Sequence, residues 1–161
     1  ESKAELGPHR PVAVVHGELA RGWLKLSGLF AHARPILVPP HNRIAKAVAG
    51  ELAKTGYRGL STFGPRGKTR AGLVQANAHC DIMDWRTRGF AGESPALGHV
   101  VAHLRAKLDG TADPAEPTGL LTHHLAHDEP AWEFTEAFLR RTQAHRAASW
   151  RDPAGIFAAA S

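Results

Sequence analysis

The stretch that decides the fold runs Leu73-Val74-Gln75-Ala76-Asn77-Ala78-His79-Cys80-Asp81-Ile82-Met83-Asp84-Trp85. Its apolar positions, closed by charged residues, read as a strand from Leu73 to about Ile82. Side chains alternate across a strand, so Asn77, His79 and Asp81 share one face while Cys80 and Ile82 share the other. Gly119-Leu120-Leu121-Thr122-His123-His124 repeats the pattern as a second strand ending at ionisable groups. In α/β folds, ligands and chemistry collect at the carboxyl ends of strands. A carboxylate pair, Asp81 and Asp84, at one such end and a histidine at another point to acid–base chemistry. His123 and His124 face opposite ways, so one of them reaches the site, where a neighbouring carboxylate can orient it.

Upstream, Val12, Val15, Leu19, Trp23, Leu26 and Phe30 form one helical stripe. Ile36-Leu37-Val38 is a short strand closed by Pro39-Pro40. Asn42 is placed to cap a helix carrying Ile44, Val48 and Leu52 and ending at Gly56. Tyr57 to Phe63 reads as a strand, followed by a Gly-Pro-Arg-Gly loop. Downstream, Ser94-Pro95 starts a helix with Leu97, Val100, Val101, Leu104 and Leu108 on one face. Asp109 to Pro117 is a loop, and Asp128-Glu129-Pro130 opens a last helix with Trp132, Thr135, Phe138 and Leu139 on one side. This alternation implies an α/β fold, a mainly parallel sheet covered by helices, with too few strands to close a barrel of about eight. We expect one domain over residues 1–150 and a surface tail over 151–161.

With 161 residues, 43% of them hydrophobic and 22% charged, the chain can bury a globular core. No apolar run approaches the ~18 residues of a membrane span. The single Cys80 excludes an internal disulfide framework and a cysteine-rich zinc site, and favours a reducing, cytoplasmic setting. The net charge of +5 invites a nucleic-acid reading. Outside Arg66 to Arg70, however, the cations are scattered, and no stacking aromatics are interleaved with them. A solvated basic surface follows, with no nucleic-acid partner. Gly67-Lys68-Thr69 resembles the end of a phosphate-binding loop, but the earlier glycine falls at Thr62. His123, His124, His127 and Asp128 form a possible metal cluster by composition, although no HExxH helix accompanies them.

Taken in order, these segments resemble the polysaccharide deacetylase family, carbohydrate esterase family 4. Asp81-x-x-Asp84-Trp85 is similar to that family's fourth motif, and Leu121-Thr122-His123 to its fifth, Leu-x-His. Val38-Pro39-Pro40-His41-Asn42 stands where the third motif lies, with Val38 in the place of its arginine and Arg43 as a substitute from the following turn. The resemblance is closest to a bacterial subgroup with a Pro-Pro-x-Asn-Arg-Ile segment, here Pro39 to Ile44. It implies a partial, distorted (β/α) barrel of the deacetylase type, lacking its N-terminal strands. The implied reaction is metal-dependent removal of an acetyl group from a carbohydrate. His123 is then the catalytic acid and Asp81 its orienting partner, with Asp84 as the other candidate. Trp85, Pro40 and Arg43 line the substrate groove. The divalent metal, zinc by preference, takes its ligands from sequence upstream of Glu1, because the first two motifs are not found here. A non-catalytic carbohydrate-binding relative without the metal site is the alternative.

Overall fold

The structure, a computed structural model, describes residues 4–67 and 72–158. Lys68 and Thr69 of the phosphate-loop-like segment, and Arg70 of the basic stretch, lie outside them. The fold is mixed α/β, with five helices and small sheets, and none of these sheets closes into a barrel among the described residues. No described helix is long and apolar enough to cross a membrane. The chain divides into two compact units, one comprising Glu1–Asn77 with Pro153–Ser161 and the other Ala78–Asp152.

In the first unit, Leu6 is buried and bridges to Ile44, and helix α1 (Val12–Leu29) follows. Val15 is fully buried, and Val12, Leu19 and Trp23 pack against the same core, as the stripe requires. The stripe fails at its far end, where Leu26 and Phe30 are exposed. Strands β1 (Ile36–Leu37), β2 (Gly59–Leu60) and β3 (Val74–Gln75) form a three-stranded parallel sheet in that order. Between β1 and β2 the chain makes a 3₁₀ turn at Pro40–Asn42, helix α2 (Lys46–Gly50) and a second 3₁₀ turn at Leu52–Thr55.

Asn42 is not the cap of α2; Ala45 occupies that position, without a side-chain hydrogen bond. Instead His41 and Asn42 both adopt left-handed backbone, with φ of 55° and 56°. Extended Pro39 and Pro40, the first residue of the 3₁₀ turn, lead directly into that reversal, which is costly for residues other than glycine. Residues 153–157, read from the sequence as tail, form a short helix, α5, that belongs to this unit. The ring of Phe157 covers Gly59 so closely that a Cβ there would lie 2.7 Å from it.

The long strand expected from Leu73 to Ile82 is broken. Its first part is β3, and its second is β4 (Ala78–Asp81), which belongs to the other unit. The break falls at Ala76-Asn77, where the Asn77 side chain accepts the Thr62 backbone N–H at 2.9 Å and donates to the Gly64 carbonyl at 2.7 Å. A buried amide bound in this way fixes the chain in a turn-like path and ends the ladder.

In the second unit, β5 (Met83–Asp84) and β6 (Gly89–Phe90) form an antiparallel hairpin that the sequence reading does not contain. Helix α3 (Glu93–Leu108) leads to β7 (Gly119–Leu121), which pairs parallel with β4. Helix α4 (Glu129–Ala144) follows, capped as expected by Asp128, whose side chain accepts the Ala131 N–H. Cys80, Ile82, Ala96, Ala131 and Phe134 form the core. Full burial of a side chain the size of Ile82 stabilises by about 1.5–3 kcal/mol.

Helix α3 presents the expected face only in part: Val100 packs against the core. Leu97, Val101, Leu104 and Leu108 are exposed, while Ala96 and His103 are buried. The small Ala96 lets the helix approach β4 closely enough for Cys80 Sγ to donate to the Ala96 carbonyl at 3.1 Å. Helix α4 buries Ala131, Phe134 and Thr135 and packs Phe138 against the core, so the expected face is met at Thr135 and Phe138, while Trp132 is exposed.

Candidate functional site

The β4–β7 ladder pairs Asp81 with Leu121, so the ends of the two strands sit side by side. His123, two residues past the end of β7, then places Nε2 3.2 Å from Asp81 Oδ1. Asp81 also accepts the Met83 N–H on Oδ1 and the Trp85 indole N–H on Oδ2, both at 3.0 Å. Trp85 stands edge-to-face against His123, with ring centroids 4.6 Å apart. Three sequence candidates, Asp81, Trp85 and His123, are therefore brought together by one ladder and one tight turn. The His123–Asp81 approach is a close contact but not a hydrogen bond, and the buried Nε2 has no hydrogen-bond partner.

His127 was not among the catalytic candidates, yet it holds the backbone of His123. Its Nε2 accepts the His123 backbone N–H at 3.0 Å, and its ring lies edge-on to Trp132. The Ala126 N–H returns to the His123 carbonyl at 2.7 Å, closing the turn. Burial, and then the neighbouring His123, lower the His127 pKa. Asp128 binds the N–H groups of Phe90 and Ala131, and the Phe90 bond is the main reason its pKa lies below the usual carboxylate value. With those lone pairs committed and His124 turned out to solvent, the His123, His124, His127 and Asp128 metal cluster does not form.

Asp84 has a different task from Asp81. It takes the Arg86 backbone N–H at 2.9 Å and sits 3.6 Å from the Arg86 guanidinium, shaping the β5–β6 turn. The Arg86 N–H, more than any other contact, lowers its pKa. Pro40 and Arg43 belong to the first unit, in and after its left-handed turn. There a cleft of about 350 Å³ is lined by Asn42, Arg43, Lys46, Thr62 and Gln75 among others. It opens beside the carboxyl ends of β2 and β3.

The second unit also contains a buried group that the sequence reading missed. His79 of β4, His103 of α3 and Glu116 of the loop before β7 are all buried, and their ligand-type atoms lie within 4.8 Å of one another. His79 Nε2 is 3.5 Å and His103 Nε2 3.9 Å from Glu116 Oε2. The imidazoles stack at 3.5 Å between centroids. Burial lowers both pKa values, and at His79 the proximity of His103 adds to the effect. By residue type and spacing this group could hold a metal ion. Glu116 was unreadable as a core residue because an acid in a polar loop is ordinarily solvated.

Compared with known protein families, curated proteins and solved structures, the chain matches none.

Proposed function

We propose that this chain carries active-site residues of a metal-dependent carbohydrate deacetylase, with His123 as its acid. The supporting observation is the convergence of Asp81 and Trp85 on His123 at the ends of two parallel strands. His123 directs Nε2 at Asp81, which leaves Nδ1 as the nitrogen to meet a substrate. In the reaction, water adds to the acetyl carbonyl carbon, and that nitrogen delivers a proton to the departing amine or alkoxide as the acetyl carbon–heteroatom bond breaks, leaving acetate. Asp81 holds the ring in orientation and stabilises its positive charge. Trp85, half exposed, offers an apolar ring for the sugar or the acetyl methyl group. A divalent metal, zinc by preference, would polarise the acetyl carbonyl when bound. In this reading the short parallel ladders are parts of a distorted (β/α) barrel.

The test is acetate release from an N-acetylated amino-sugar oligomer and from an O-acetylated polysaccharide, with zinc supplied and oligomer binding measured in parallel. Acetate release from either supports the reading. Oligomer binding that depends on Trp85, without acetate release, supports the non-catalytic carbohydrate-binding relative. Neither binding nor release overturns both.

A further inference from the structure

The β4–β7 ladder slips by one residue between Ala78 and Cys80, so His79 is the extra residue of a β-bulge. At that slip the backbone N–H of Gly119 donates to a side chain, His79 Nδ1, at 3.0 Å. An imidazole nitrogen that accepts a hydrogen bond carries no proton, so in the neutral ring the proton is on Nε2. That is the nitrogen facing Glu116 at 3.5 Å. A metal at the same place needs the Nε2 lone pair, and its histidine ligands normally donate from the other nitrogen. His103 meets that requirement, because its Nδ1 lies 3.0 Å from the Thr118 hydroxyl, which can accept. His79 does not, since its Nδ1 already faces a donor.

We propose that His79 is a positioning residue that locks the β4–β7 register, its Nδ1 taking the Gly119 amide and its Nε2–H directed at Glu116, so that the group holds a proton where spacing alone admits a metal. The lock acts just before Asp81 and, across the ladder, just before Leu121, and so sets the strand ends that bring Asp81 to His123. Any metal taken up at His79 would have to displace the Nε2 proton and break the Gly119 bond.

The first test is the ¹⁵N signature of His79 in the wild-type chain above pH 7. A protonated Nε2 and bare Nδ1, unchanged on adding zinc alone, is expected. A protonated Nδ1, or one equivalent of zinc bound in a manner abolished by His103→Ala, overturns the proposal. The second test compares His79→Asn with His79→Gln. Asparagine keeps an acceptor at the Nδ1 position, and glutamine reaches only the Nε2 position. Exchange of the Gly119 amide should stay near wild type in His79→Asn and rise at least about tenfold in His79→Gln, as for a lost hydrogen bond. Equal exchange in both variants contradicts a lock through Nδ1. Should either variant fail to fold, the wild-type signature and zinc titration decide alone.

Discussion

Replacing Asp81 with asparagine tests the geometry of the site without assuming any reaction. The two carboxylate oxygens serve Met83 N–H and Trp85 Nε1–H, each at 3.0 Å, and face His123 Nε2 at 3.2 Å. Asparagine offers one oxygen and one NH₂ group. If its oxygen keeps the Met83 N–H, the NH₂ confronts the indole N–H, donor against donor. If the amide flips, the Met83 N–H and His123 lose their acceptor instead. Either way at least one charge-assisted hydrogen bond is lost, worth about 1.5–3 kcal/mol net. The Asp81 side chain keeps 19% exposure, and water compensates in part, which places the expected loss near the lower figure, about 1.5 kcal/mol. For a unit of this size, each 1 kcal/mol moves Tm by about 4–8 °C, so a fall of about 6 °C or more is expected. Thermal melting followed through amide signals of the second unit measures it, with exchange of the Trp85 indole proton as the local reporter. An unchanged Tm together with an unchanged indole signal would refute the assignment of Asp81 as the shared acceptor.

Other expectations follow from the packing and from the buried histidines. His79, His103 and His127 all bind protons less readily in the folded chain than at their ordinary value, mainly because of burial. The unfolded chain then takes up more protons as pH falls below about 6.5, so the second unit should be fully stable above that pH and lose stability through the range beneath it. Urea denaturation at pH 7.5 and 5.5 checks this, and equal or greater stability at pH 5.5 contradicts it. Gly59→Ala places a methyl group 2.7 Å from the Phe157 ring and 2.9 Å from Ile36, and should cost about 1–3 kcal/mol in chemical denaturation. The cost should shrink in a Phe157→Ala background, and an unchanged cost there would place the clash elsewhere. Phe134→Ala removes a ring packed between Phe90 and Phe138 at 5.1 and 5.8 Å between centroids, and should cost about 3–5 kcal/mol in the same assay.

The parts of the site legible in the sequence are those set by strand ends. Asp81 and His123 each follow an apolar run, and parallel pairing of those runs brings them together. Trp85 was legible through the motif resemblance alone, and the structure brings its indole N–H to Asp81. Asp84 looked equivalent to Asp81 by residue type, but hairpin chemistry claimed it, and a two-residue strand such as β5 leaves little periodic signal. The α3 face was partly misread because Leu97, Val101, Leu104 and Leu108 are more apolar than Ala96 and His103, although the latter pack against β4. There, close approach and a buried polar group outweighed hydrophobic area. The break at Asn77 was hidden for a related reason, since the partners that end the strand, Thr62 and Gly64, are distant in sequence.

The most direct measurement of the central claim compares His123→Ala with His124→Ala in acetate release from one acetylated oligomer, with zinc present and oligomer binding recorded for each. The two histidines are adjacent, but only His123 faces Asp81 and Trp85. A loss of about 10²–10⁴-fold in His123→Ala, with binding retained and His124→Ala near wild type, is the expected result. Equal activities in the two variants would contradict the assignment of His123 as the acid.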